Sequence, residues 1–129
     1  MPSATSVVLN DGQATPVAVT FVPERVSPDL STFVDRSTGI AMLFPRLGVS
    51  TKFAKSGGKV NRATFTIALP VGQLVNGVQT VARVYRVNVE MLLPDGGTDA
   101  ERKNVFAFLT NGLNNSLIKG ALRDYDPIV

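Results

Sequence analysis

The 129-residue chain has no cysteine, no histidine and no tryptophan. Without cysteine there is no disulfide, no thiolate metal site and no thiol nucleophile. Without histidine the commonest general base and the commonest metal ligand are both missing. A Ser-His-Asp triad and a His-rich zinc site are excluded. Lys, carboxylate or Tyr chemistry stays open in principle, but the balance is against an enzyme, and no cofactor or metal is expected. No apolar run approaches the roughly 20 residues of a membrane helix. The opening Met1-Pro2-Ser3-Ala4-Thr5-Ser6 lacks the basic and apolar blocks of a secretory leader, so a soluble product made in a cytoplasm is expected. Repeats, low-complexity tracts and linkers are also missing. One domain spanning 1–129 follows.

What is present is unevenly placed. The net charge of +3 hides an asymmetry. Residues 1–45 carry two basic and four acidic groups, a net of −2. Residues 46–90 carry seven basic groups against Glu90 alone, a net of +6. Residues 91–129 carry four basic and five acidic groups, a net of −1. Positive charge gathered in the middle third points to a polyanionic partner. The competing reading is a solvated basic surface.

Hydropathy places the elements. Thr5–Leu9 and Pro16–Val22 form a predicted hairpin around Asn10-Asp11-Gly12. Pro23 to Pro28 reads as a loop, and short extended pieces follow at Ser31–Asp35 and Ile40–Phe44. Three clearer strands come next. In 46–54 the odd positions are Leu47, Val49, Thr51 and Phe53, with Arg46, Ser50 and Lys52 between them. In 60–69 Ala63, Phe65, Ile67 and Leu69 alternate with Arg62, Thr64 and Thr66. In 84–93 Tyr85, Val87, Val89, Met91 and Leu93 alternate with Arg86, Asn88 and Glu90. Side chains alternate faces along a strand, so paired strands of this kind bury one side and present a basic, hydroxyl-rich platform on the other. Lys55-Ser56-Gly57-Gly58-Lys59 serves as a glycine turn; it lacks the spacing of a phosphate-binding loop. Pro70 to Val78 reads as a mobile loop longer than a tight hairpin.

After Pro94-Asp95-Gly96-Gly97 the period changes. Thr98-Asp99-Ala100-Glu101 has the spacing of a capping box. Val105, Phe108, Leu109, Gly112 and Leu113 keep helical spacing, and Leu117, Ile118, Ala121 and Leu122 continue it. Asn111-Gly112 and Asn114-Asn115 favour a break, giving two helices. The fold class is therefore α+β: an antiparallel sheet, made of an N-terminal hairpin plus about five strands, with two C-terminal helices on one face. One helical layer is too thin to cover such a sheet, and a partner's helices would complete it, so a homodimer is expected.

The chain resembles the coat proteins of levivirus-type single-stranded RNA phages over nearly its whole length. The resemblance rests on Arg62-Ala63-Thr64-Phe65-Thr66-Ile67-Ala68-Leu69-Pro70, on Tyr85-Arg86-Val87-Asn88-Val89-Glu90, on Thr98-Asp99-Ala100-Glu101 and on the order of elements. It implies interlocked dimers, whose sheets join edge to edge and whose helices cross onto the partner, and a T=3 icosahedral shell, assembled in the bacterial cytoplasm, with the sheet facing the RNA genome. It also implies a loop at 71–78 that switches conformation around the symmetry axes, and repression of replicase translation through an operator hairpin. Thr64 and Asn88 fall where relatives contact that hairpin, and Arg62 matches a basic position. Thr66 and Arg86 stand where the best-studied relatives have Lys and a stacking Tyr. The expected RNA-binding set is Arg46, Ser50, Lys52, Arg62, Thr64, Thr66, Arg86 and Asn88. A cellular sheet-platform RNA-binding module is the alternative, opposed by the lack of aromatic residues on the basic face.

Overall fold

A computed structural model describes residues 4–54 and 59–129. Residues 55–58 of the glycine turn expected over Lys55–Lys59, and the first three residues, lie outside the described residues. The chain folds as two compact units, Met1–Leu92 and Leu93–Val129.

Short connections dictate antiparallel pairing, and six strands lie side by side in chain order. They are β1 (Val7–Asn10), β2 (Ala18–Arg25), β3 (Ser31–Val34), β4 (Arg46–Lys52), β5 (Val60–Val75) and β6 (Val78–Pro94). The hairpin of β1 and β2 forms as its sequence indicates, with Val7 opposite Phe21 and Asn10 opposite Ala18. Its turn is longer than Asn10-Asp11-Gly12. Asp11 closes it by accepting from the Val17 amide at 3.0 Å and the Gln13 amide at 3.3 Å.

Three expectations are corrected. Pro23 does not begin a loop: β2 continues to Arg25, and the register shift between Pro23 and Arg25 absorbs the residue that cannot donate. Ile40–Phe44 is not extended. Ala41–Leu43 form a single 3-10 turn, with the Leu43 amide donating to the Ile40 carbonyl at 2.9 Å and Leu43 buried against Gly72. A Cβ at Gly72 would stand 2.8 Å from the Leu43 Cδ1, so the glycine leaves room for the leucine where it sits. Finally, 71–78 is not a loop. β5 runs to Val75, β6 starts at Val78, and Asn76-Gly77 alone join them, with φ of 52° and 78°. Two successive positive φ values match the twist of the flanking strands, which makes the tip a tight hairpin. Pro70 is tolerated because the ladder between β4 and β5 ends at Ala68, leaving that side of β5 an edge.

The core of this unit is small. Phe21, Phe33 and Leu47 are buried, with Val7, Val19, Phe65 and Ile67 packed around them. Phe33, Leu47 and Ile67 stand opposite one another on three neighbouring strands, so they line one face. This is the odd-numbered, apolar face expected from alternation. Farther along it Tyr85 and Val87 on β6 are exposed, as is Val49 on β4.

The second unit contains α1 (Asp99–Asn114) and α2 (Ser116–Arg123). The Thr98 hydroxyl accepts from the Glu101 amide at 3.2 Å, and the Glu101 carboxylate accepts from the Thr98 amide at 3.3 Å, so the capping box is complete. The break falls at Asn115. Its backbone amide donates to the Gly112 carbonyl and ends α1, while its side chain accepts from the Leu117 and Ile118 amides and starts α2. At the far end the Arg123 guanidinium donates to the Asp124 carboxylate at 3.0 Å, which holds that carboxyl below its usual range. Neither helix contains a buried residue, so Val105, Phe108, Leu113, Leu117 and Leu122 are open in the single chain.

Candidate nucleic-acid interface

Pairing fixes which side chains share a face. Across β4 and β5, Lys52 stands opposite Arg62, Ser50 opposite Thr64, Gly48 opposite Thr66 and Arg46 opposite Ala68. Residues directly opposite in a ladder project from the same side. Six of the eight expected site residues therefore lie on one face of two strands. Arg86 and Asn88 of β6 line a depression together with Arg46, Leu47, Gly48, Thr66 and Ile67, and the ion pair of Arg62 with Glu90 puts the even positions of β6 on the Arg62 side. That depression measures about 360 Å³ and reaches Leu30 and Thr32 on the β3 side. Gly48 shapes it. A Cβ there would lie 2.5 Å from the Thr66 Oγ1, so the missing methyl lets the threonine hydroxyl lean across β4.

The eight residues are not equivalent. Lys52, Arg62, Thr66, Arg86 and Asn88 are exposed, and Thr64 is half-buried. Ser50 is buried, and its hydroxyl donates to the Asp29 carbonyl at 2.6 Å, tying β4 to the β2–β3 connection. Its part in the face is to hold it. Arg46 is half-buried, with its Nε 3.3 Å from the Glu24 carboxylate, and the Arg62 Nε stands 3.7 Å from that of Glu90. Side-chain exposures of 42% and 32% in the first pair, and 57% and 50% in the second, leave both open to water. Pairs this exposed are worth about 0–1 kcal/mol. A phosphate can compete for either arginine.

Leu30, Thr32 and Glu24 were not singled out by sequence reasoning. Thr32 carries a faint signal, since it alternates with Phe33 in a short extended piece. Glu24 carries none, because its partner lies 22 residues away and its segment reads as a loop.

Chemically, the face offers cations at strand spacing, the hydroxyls of Thr64 and Thr66, and the Asn88 amide. Guanidinium and ammonium groups attract phosphate, whereas the Asn88 amide can donate to and accept from a base edge.

The comparisons with known proteins agree with this architecture. The sequence profile of the Levivirus coat protein family matches residues 2–128. The capsid protein of Pseudomonas phage PRR1 is 30% identical over 117 residues, covering 88% of this chain and 87% of that protein. The virus-like particle of bacteriophage NT-214 has a subunit with a TM-score of 0.89 at 23% identity, covering 99% of this chain and 100% of its own. That of Beihai levi-like virus 21 gives 0.86 at 25% identity, with 99% of each chain covered. The structural likenesses speak for the fold; the profile, matching nearly every residue, speaks for descent. The chain belongs to the levivirus coat protein family.

Proposed function

We propose that the chain forms a homodimer, that the dimers close into an icosahedral T=3 shell within the bacterial cytoplasm, and that the even-numbered face of the sheet holds the single-stranded RNA genome inside it. Residues 1–129 act as one coat domain, completed when a partner's helices cover the apolar side of the sheet. A translational operator hairpin would use the same basic face, with Arg62, Thr64 and Asn88 at its contacts.

One observation carries the RNA reading: the pairing of β4 with β5 collects Arg46, Lys52 and Arg62 on a single face, and Arg86 and Asn88 line its depression. Dimerisation draws on different evidence. β6 is an edge strand of the sheet, its Tyr85 and Val87 are exposed, and both helices lack buried residues. An open edge is a template for pairing with another chain, and apolar stripes left open call for a covering surface. Assembly draws on the relatives, two of which are described as virus-like particles.

Expression followed by gel filtration and electron microscopy tests the proposal. Uniform particles containing nuclease-protected RNA are the expected product; a small soluble species free of RNA contradicts it. Within that reading, Arg62→Ala and Arg86→Ala each weaken RNA binding while leaving the dimer intact. Each also flattens the log–log salt dependence by about 0.7 for the single-strand contact it removes. Unchanged affinity of both variants at low salt rules out this face.

A further inference from the structure

Phe53 does not follow the pattern of its strand. Alternation along β4 assigns it to the apolar face with Leu47, yet β4 ends at Lys52 and the alternation ends with it. The phenyl ring is 78% exposed, whereas Leu47 is 3% exposed. It lines a second depression of about 240 Å³ together with Lys52, Ala54, Val60, Arg62 and Leu92. The segment carrying the ring is held in place: the Ala54 amide donates to the Asn61 side chain at 2.7 Å, fastening the end of β4 to the start of β5.

Two properties meet here and, among the described residues, nowhere else on the basic face. An exposed aromatic ring offers a flat, sequence-tolerant surface on which a base can stack. Beside it stand two cations, Lys52 and Arg62, which face each other across the β4–β5 ladder and can take the phosphates flanking such a base. The ring is not needed for the core, since Phe21, Phe33 and Leu47 form that without it. The Arg62 pair with Glu90 is half open to water and leaves the guanidinium available.

We infer that Phe53, with Lys52 and Arg62, forms a second nucleotide subsite at the end of β4, separate from the depression around Gly48 and Thr66. Its ligand is one unpaired base of single-stranded RNA, taken without preference for sequence, with a phosphate on either side. This inference rests on the proposed RNA-binding function and adds to it a stacking contact.

The absence of tryptophan supplies the test. Phe53→Trp places the only indole of the chain on the subsite, and stacking of a base quenches its emission. Subunits freed of co-purified RNA are titrated with fluorescein-labelled oligoadenylate and oligouridylate at several salt concentrations. Phe53→Ala should lose about tenfold in affinity for both, the size of one base stack, with its salt slope unchanged because no charge is removed. Phe53→Trp should retain affinity and lose emission on binding. Circular dichroism of each variant establishes that the sheet is intact, as expected for a ring this exposed. Wild-type affinity for Phe53→Ala and steady emission from Phe53→Trp, while Arg86→Ala still weakens binding, overturn the subsite and leave the RNA reading standing. Failure of the unaltered subunit to bind either oligonucleotide overturns both.

Discussion

Glu24 and Glu90 stand against Arg46 and Arg62 on the very face that concentrates positive charge. Each carboxylate competes with phosphate for its arginine, and each repels phosphate directly. On the proposed function, a surface with these two groups would bind RNA less tightly than its cations alone would allow. Glu24→Gln and Glu90→Gln should therefore each raise affinity for single-stranded RNA at low salt, by about two- to fivefold given the worth of exposed ion pairs. Titration of labelled RNA into each variant measures it; weaker or unaltered binding in both would show that these carboxylates do not oppose the ligand. At this scale the sequence was legible wherever parity decided the outcome. Lys52, Arg62, Thr66, Arg86 and Asn88 needed only alternation. The burial of Ser50 under the Asp29 carbonyl and the reach of Glu24 to Arg46 depend on partners 21 and 22 residues away, which no local pattern carries. Phe53 misled because periodicity was extended one residue past the end of its strand.

Among the elements, the hairpin of β5 and β6 differs most from its reading. Pro70 and Gly72 are strand breakers by propensity, and both sit inside β5. Tertiary context overrides them: Gly72 makes room for Leu43, and Pro70 lies beyond the β4 ladder. The Thr80 hydroxyl donating to the Gln73 carbonyl at 3.4 Å ties the two strands together near the tip. The Asn76-Gly77 pair was visible in the sequence, and its turn chemistry outweighed the breakers upstream. A left-handed conformation costs a residue with a Cβ about 1–2 kcal/mol. Gly77→Ala should thus destabilise the hairpin by that amount while leaving the sheet and its basic face unaltered, as urea unfolding and hydrogen exchange at 73–80 can measure. Equal stability would mean that the turn does not hold the conformation described. The helices were easier to read. A complete Thr98–Glu101 capping box and an Asn115 that closes one helix while opening the next are local chemistry, written in consecutive residues.

For the whole molecule, the sequence announced a surplus of apolar surface and the structure locates it. β6 is an edge strand with Tyr85 and Val87 exposed, and α1 and α2 keep their apolar positions open. Among the described residues the buried apolar side chains are Phe21, Phe33, Val34, Leu43 and Leu47, a small core for a chain of this length. Membership of a coat protein family gives that surplus a purpose, since each open surface is one that another copy can cover. On the proposed function, the opposite face of the sheet is the one left for RNA. Ultraviolet cross-linking of RNA within intact, nuclease-treated particles, with the linked peptides read by mass spectrometry, tests this division of faces directly. Cross-links should fall on the peptides bearing Lys52, Phe53, Arg62, Thr66, Arg86 and Asn88 and spare α1 and α2. Cross-links concentrated on the helices, or particles with no RNA against the sheet, would contradict it.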